Sequence, residues 1–296
     1  MTSAAEALAP ATVGAALAEA IEHLRAAGAP EPEADAQVLA AHALGTSRAG
    51  VIAAARDVLR PRVGERLEGL VRRREAREPV AYIVGEREFW SLSLAVDPRV
   101  LIPRPETELL VEMACRLAPD ARAVLDCGTG GGAVAVALAR ELPRARVWGS
   151  DRSRDALAVA RLNVARHAPR VGLVTADLLS AFGEGAFDLV VSNPPYCADA
   201  DIDGLIAEVR DFEPREALAA GLEGLDALRA LVGDATRVLA AGGWLLLEVG
   251  AGQAGQVQRF CAAGGRYTDI VVANDHAGIQ RCVGARRRRG GTWTPS

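Results

Sequence analysis

The chain has 296 residues, 50% of them hydrophobic and 24% charged, enough apolar material for two domains with separate cores. Its net charge of −4, with arginine supplying every basic side chain but histidine, argues against a protein that coats nucleic acid with one broad basic face. Five widely spaced cysteines without a Cys-x-x-Cys pair, and four scattered histidines, argue against a disulfide framework or a metal-ligand cluster.

Met1 to Pro10 lacks the basic start and apolar centre of a signal peptide, and no apolar run approaches the length of a membrane span, so a cytoplasmic protein is expected. Residues 11–78 read as helical throughout. Val13, Leu17, Ala20, Ile21 and Leu24 form one stripe at helical spacing, with Thr12 placed to cap its start and Gly28 to end it. Val38, Leu39 and Leu44 mark a further helix, Val51, Ile52, Val58 and Leu59 another, and Val63, Leu67, Leu70 and Val71 one more after Pro61. The run Arg72-Arg73-Arg74 reads as a solvated helix face. This small helical bundle, residues 1–85, carries no visible chemistry and is expected to serve recognition or docking.

Residues 86–108 read as a hairpin and linker. Phe89, Trp90, Leu92, Leu94 and Val96 nearly alternate with Ser91 and Ser93, and Leu101-Ile102-Pro103-Arg104-Pro105-Glu106 is held extended by its prolines until a helix begins near Thr107. From Ala121 strands and helices alternate. Val124-Leu125, Arg146 to Gly149, Val171 to Thr175, Leu189 to Ser192 and Trp244 to Val249 read as strands, with Ala133 to Arg140 and Asp155 to His167 among the helices. Strands separated by helices imply parallel pairing. The last two strands, near Ile270-Val271-Val272 and Gln280 to Val283, are joined too closely for a parallel crossover and predict a hairpin. Residues 109–285 therefore predict a Rossmann-like α/β domain, and residues 286–296, opening on Arg286-Arg287-Arg288-Arg289, a basic tail without fixed structure.

Asp126-Cys127-Gly128-Thr129-Gly130-Gly131-Gly132 follows the first strand of that domain and opens a helix, so its backbone can approach a ligand closely. Asp151 ends the second strand about twenty positions on, where a carboxylate can accept the hydroxyls of a ribose. These features indicate a bound nucleoside without choosing between a dinucleotide and S-adenosylmethionine. Asp126, placed to hold a cationic amino group where a pyrophosphate would be repelled, favours the second, as does Asn193-Pro194-Pro195-Tyr196 at the end of the fourth strand. Two prolines after an asparagine stiffen the turn, so that one side-chain amide oxygen and the neighbouring carbonyl form a fixed pair of acceptors for a flat –NH2 group. Asp177, just past the third strand, is expected to accept from an adenine amino group.

With these residues in place the chain resembles the release factor glutamine N5-methyltransferases, within the class I S-adenosylmethionine-dependent methyltransferases. The resemblance covers roughly residues 10–285. It rests on Pro79 to Trp90, Leu101 to Glu108, Asp126 to Gly132 and Val191 to Tyr196, with Phe212-Glu213-Pro214 and Gly242 to Glu248 also matching. It implies a mostly parallel sheet with an antiparallel final strand and a helical N-terminal domain. It implies action on the glutamine of the Gly-Gly-Gln loop of class I peptide chain release factors, and a monomer is expected. By position, Gly128, Thr129, Gly130, Gly131, Gly132 and Asp151 would hold S-adenosylmethionine, with Asp126, Asp177, Leu178 and Asn193 beside it. Asn193, Pro194, Pro195 and Tyr196 would hold the glutamine amide, with Asn193, Pro194 and Tyr196 in catalytic roles and Tyr196 packed on the flat amide. Two residues depart from the family: Gly131 stands where threonine or serine is common, and Leu178 where some relatives place an aromatic. The rival reading is an adenine-N6 methyltransferase acting on DNA or RNA. That would need a basic groove, whereas residues 121–285 hold 16 arginines against 20 acidic residues, so no direct nucleic-acid binding is expected.

Overall fold

The computed structural model describes residues 12–289, which divide into two compact units. The first comprises the chain up to Gly85 together with Ala207–Phe212. Its helices are α1 (Val13–Ala26), α2 (Pro32–Leu44), α3 (Arg48–Ala53), α4 (Pro61–Glu75) and α5 (Val80–Val84). Thr12 caps α1 by accepting from the Ala15 amide at 3.2 Å, and Gly45, at φ 68°, closes α2 in the left-handed conformation. Leu24, Leu39 and Val51 form the fully buried centre of the bundle.

Two expectations are corrected in this unit, and one further helix is found. The expected α3 pattern overruns the helix, which stops at Ala53 and leaves Ile52 and Val58 exposed. The short α5, closed by Gly85, interrupts a segment with no helical stripe long enough to read. Arg74 does not belong to a solvated face: it continues the α4 stripe of Leu67, Leu70 and Val71 and is only 4% exposed. Its guanidinium donates to Asp35 at 2.8 Å and to Glu208 at 2.9 Å, and Arg77 donates to the other Glu208 oxygen at 2.7 Å.

The second unit runs from Glu86 to Ile206 and resumes at Glu213. The hairpin of β1 (Glu86–Phe89) and β2 (Leu92–Ala95) belongs to it, as does the connector, which ends in a 3-10 turn at Pro105–Thr107. There follow α6 (Glu108–Leu117), β3 (Ala123–Cys127), α7 (Ala133–Glu141), β4 (Arg146–Asp151), α8 (Arg154–His167), β5 (Gly172–Thr175) and β6 (Phe187–Ser192). The single-turn α9 (Ala207–Arg210) lies in the segment that joins the first unit. The chain then forms α10 (Asp226–Val238), β7 (Leu239–Glu248), α11 (Ala254–Ala262), β8 (Tyr267–Asn274) and β9 (Gln280–Arg287).

The seven-stranded sheet has the order β5-β4-β3-β6-β7-β9-β8, parallel from β5 to β7, with β9 antiparallel to both its neighbours. Both faces are covered, which is why the central strands are apolar at almost every position. Val124, Leu189, Val191, Trp244 and Leu246 face α6, α7 and α8, while Leu125, Val190, Leu245 and Leu247 face α10 and α11. The α/β fold class expected from the strand–helix alternation is the one observed, with the last strand antiparallel.

Two boundaries move. Strand β7 begins at Leu239, directly after α10, because Gly242, at φ 83°, lets an irregular stretch stay in the ladder beside a register shift at Phe187/Leu189. The expected basic tail begins too early: Arg286 and Arg287 are strand residues of β9. Arg286 lies opposite Trp244 with its guanidinium 5.8 Å from the ring centroid, so the paired ladder and the aromatic face hold it. Residues 290–296 of that tail, like residues 1–11, lie outside the described residues. No helix among the described residues is long and apolar enough to cross a membrane.

Candidate active site

Strand β3 is where the order of the sheet reverses, with β4 beside it on one side and β6 on the other, and a crevice opens there at the carboxyl ends of the parallel strands. A cleft of about 450 Å³ occupies it. That is within the roughly 300–1,000 Å³ typical of small-molecule sites. Its lining includes Asp126, Gly128, Thr129, Gly130 and Gly131 after β3, Asp151 at the end of β4, Asp177 and Leu178 after β5, and Asn193 and Pro195 after β6.

The glycine loop is built by backbone demand. The amides of Gly128 and Thr129 both donate to the Ser150 carbonyl at 2.8 Å, folding the chain back over β4. Gly128 and Gly130 take φ 72° and 53°, which side chains resist. The Gly130 amide donates to Asp151 Oδ2 and the Ser153 amide to Oδ1, both at 2.9 Å. Each Asp151 oxygen keeps a further lone pair, so the carboxylate is oriented by the backbone and still able to receive two hydroxyls. Leu178 stands at φ 45°, a left-handed conformation that a leucine holds only under constraint, and it lines the cleft where an aromatic was missed.

Asp126 lies on the cleft floor, 1% exposed. Its Oδ2 accepts from the Thr129 hydroxyl at 2.6 Å and the Ala135 amide at 3.0 Å. Burial nevertheless pushes its carboxyl up to about 7, with Asp151 adding to the rise. A buried carboxyl poised in this way gains from a cation placed against it, which fits the amino group of an aminoacyl nucleoside.

Three predicted site residues are placed differently. Gly132 does not line the cleft. At φ 83°, a Cβ there would sit 3.3 Å from the Ala160 Cβ, so this glycine serves the close approach of α7 to α8. A Cβ on Gly131 would make only ordinary contact, 3.5 Å from Val100. Accordingly Gly132→Ala is expected to cost about 1–3 kcal/mol of stability, and Gly131→Ala less than about 0.5 kcal/mol, as chemical denaturation would read. Pro194 is likewise outside the cleft lining. Tyr196 turns toward a second, smaller cavity of about 210 Å³, where its hydroxyl lies 3.5 Å from Glu248 Oε1. The two prolines that stiffen the turn also re-aim the residue after them.

Asn193 is held by a residue that spacing did not single out: its Nδ2 donates to Thr107 Oγ1 at 3.2 Å, which leaves Oδ1 available as an acceptor. The connector also supplies Val100, Leu101 and Pro103 to the cleft. It is anchored by Glu213, which is 5% exposed and accepts from Arg104 and from the Ile102 amide at 3.4 Å. The motifs around Arg104 and Glu213, far apart in the chain, are thus two halves of one wall.

A sheet of this order with a glycine loop after its central strand defines a methyltransferase, and the family models agree. The model described as "Methyltransferase small domain" matches residues 105–211, and that described as "PrmC N-terminal domain" matches residues 15–85. A release factor glutamine methyltransferase of Geobacter sulfurreducens is 44% identical over 89% of this chain and 93% of its own. One of Moorella thermoacetica is 42% identical over 94% and 99%. The chain belongs to the release factor glutamine methyltransferase family. Among solved structures, a methyltransferase from Pyrococcus furiosus matches with a TM-score of 0.50 and 17% identity over 75% of this chain and 98% of that one, a likeness of fold.

Proposed function

We propose that the chain transfers a methyl group from S-adenosylmethionine to the side-chain amide nitrogen of the glutamine in the Gly-Gly-Gln motif of class I peptide chain release factors. The observation that carries this reading is the Asn193 amide, fixed at the mouth of the nucleoside cleft with its oxygen free. The names of the relatives favour glutamine over adenine as the acceptor.

An amide nitrogen is a poor nucleophile because its lone pair is delocalised, and the cleft offers no strong base to deprotonate it. What the residues supply is position. The Asn193 Oδ1 accepts one hydrogen of the substrate –NH2 in the cleft, and the Pro194 carbonyl, between the lining residues Asn193 and Pro195, would accept the other, aiming the nitrogen and favouring its pyramidal form. The donor, when bound, contributes an already activated methyl group on a sulfonium. Asp151 would hold its ribose, the Gly128–Gly131 backbone its amino-acid portion, Asp126 its ammonium group and Asp177 its adenine amine. Orientation of this kind can lower a barrier by several kcal/mol, on the order of 7–11 in the best cases. The test is mass spectrometry of a release factor incubated with the enzyme and S-adenosylmethionine. The peptide bearing the Gly-Gly-Gln glutamine gains one methylene; an unmodified peptide beside methylated nucleic acid would overturn the reading.

The Asp126 carboxyl, at about 7, gives the donor affinity a pH dependence. A bound ammonium favours the carboxylate, so binding below that value releases a proton, and affinity rises as pH increases toward it until the donor's own α-amino group loses its proton at about 8. The slope below it approaches tenfold per pH unit, or about 1.4 kcal/mol. Calorimetry at pH values on either side should show this in the native protein and a flat profile in Asp126→Asn.

A further inference from the structure

Glu248 closes β7 with 2% of its surface exposed, and its Oε2 has no hydrogen-bond partner among the described residues. Leaving a buried carboxylate oxygen without a partner is costly, and nothing in the reaction as derived uses it. The groups facing it come from every neighbouring element: the Tyr196 hydroxyl after β6, Arg104, Glu106 and Thr107 from the connector, and Arg281 and Cys282 from β9. Thr107 is among the groups that pull this carboxylate down, and its hydroxyl receives the Asn193 Nδ2–H at 3.2 Å.

We infer that Glu248 is a positioning residue which, through Thr107, sets which way round the Asn193 amide stands. The inference rests on the acceptor role proposed for Asn193. An asparagine amide turned end for end keeps its shape but presents –NH2 to the substrate –NH2, and two donors cannot pair. Thr107 alone does not prevent that turn, because a hydroxyl donates or accepts as required. A carboxylate only accepts. It draws the Thr107 proton to itself, Thr107 Oγ1 is left to accept from Asn193 Nδ2, and Asn193 Oδ1 faces the substrate. Once Glu248 is protonated it becomes a donor, Thr107 is released to donate toward Asn193 Oδ1, and the amide is free to turn. Burial pushes the Glu248 carboxyl up to about 7, opposed by Thr107 and by the charge of Arg281, so the change falls in an accessible range.

The chain has three asparagines, Asn163, Asn193 and Asn274, so selective 15N-asparagine labelling of the full protein resolves the Asn193 side-chain –NH2 by NMR. In the native protein that signal should titrate with a midpoint near 7, and in Glu248→Gln and Thr107→Val it should not. In the methyl-transfer assay Thr107→Val should lower kcat on the order of 10–100-fold. Its S-adenosylmethionine Kd should stay within about threefold. Thr107→Ser should recover most of the loss, and the acid limb of the native kcat profile should vanish in Glu248→Gln. If Glu248→Gln fails to fold, the Thr107 pair carries the test. An Asn193 signal indifferent to pH, or full turnover in Thr107→Val, overturns the inference. The NMR arm needs no substrate, so a failure of the glutamine reading would be seen separately, as absent turnover in the native enzyme.

Discussion

Asn193→Ala is expected to lower turnover on the order of 10²–10³-fold or more. Affinity for S-adenosylmethionine should change by less than about tenfold. The asymmetry follows from where the contacts lie. In the proposed reaction the donor would be served by Asp151, itself held by the Gly130 and Ser153 amides, and by the loop after β3, none of which is bonded to Asn193. The substrate amide would depend on Asn193 for one of its two proposed acceptors. Asn193→Gln sharpens the test, since it keeps the amide and displaces it by one methylene. If catalysis here is positional, a shift of roughly 1 Å costs about 10²-fold even though the chemistry is unchanged. Calorimetry with the donor beside a single-turnover transfer assay separates the two effects. Near-native turnover in Asn193→Gln would sink the positional account, and loss of all donor binding in Asn193→Ala would mean the side chain holds the cleft rather than the substrate.

Much of this site is legible in the sequence because backbone constraint is written in residue type. Glycines at positions 128 and 130 announce positive φ, and Asn-Pro-Pro announces a stiff turn at a strand end. Parallel pairing follows from the helices between the apolar runs, and both-face burial from their lack of alternation. What residue type does not encode is the partner. Gly132 looks like its neighbours, yet a Cβ there would press on Ala160. Tyr196 is adjacent to the acceptor array, yet the turn points it at Glu248. Thr107 and Asn193 meet across 86 positions, and Arg104 and Glu213 across 109, distances at which only the folded chain decides contact. Arg74 is a different kind of miss. Its place on the stripe of Leu67, Leu70 and Val71 was readable, and the charge of the Arg72-Arg73-Arg74 run masked the periodicity.

That arginine should be the most costly side chain to truncate in the helical unit. Arg74 is buried against Asp35 and Glu208, whose side chains are 15% and 10% exposed. Arg74→Ala leaves Glu208 with Arg77 but strands Asp35, and removing one member of a buried ion pair costs about 3–5 kcal/mol. The segment Ala207–Phe212, which joins this unit through Glu208, should lose protection from amide exchange in the same variant. The pH dependence separates electrostatics from packing. Burial already holds the Asp35 carboxyl above its ordinary value despite the Arg74 guanidinium, and without that guanidinium it rises further. A carboxyl raised in the folded state favours folding more as pH falls, so the deficit of Arg74→Ala should be smaller at a mildly acidic pH than at a neutral one. A variant that keeps the bulk and loses the charge, Arg74→Met, should show the same shrinkage with a smaller offset. Urea denaturation at the two pH values measures both, and a deficit that does not change with pH would assign the loss to the missing side-chain volume instead.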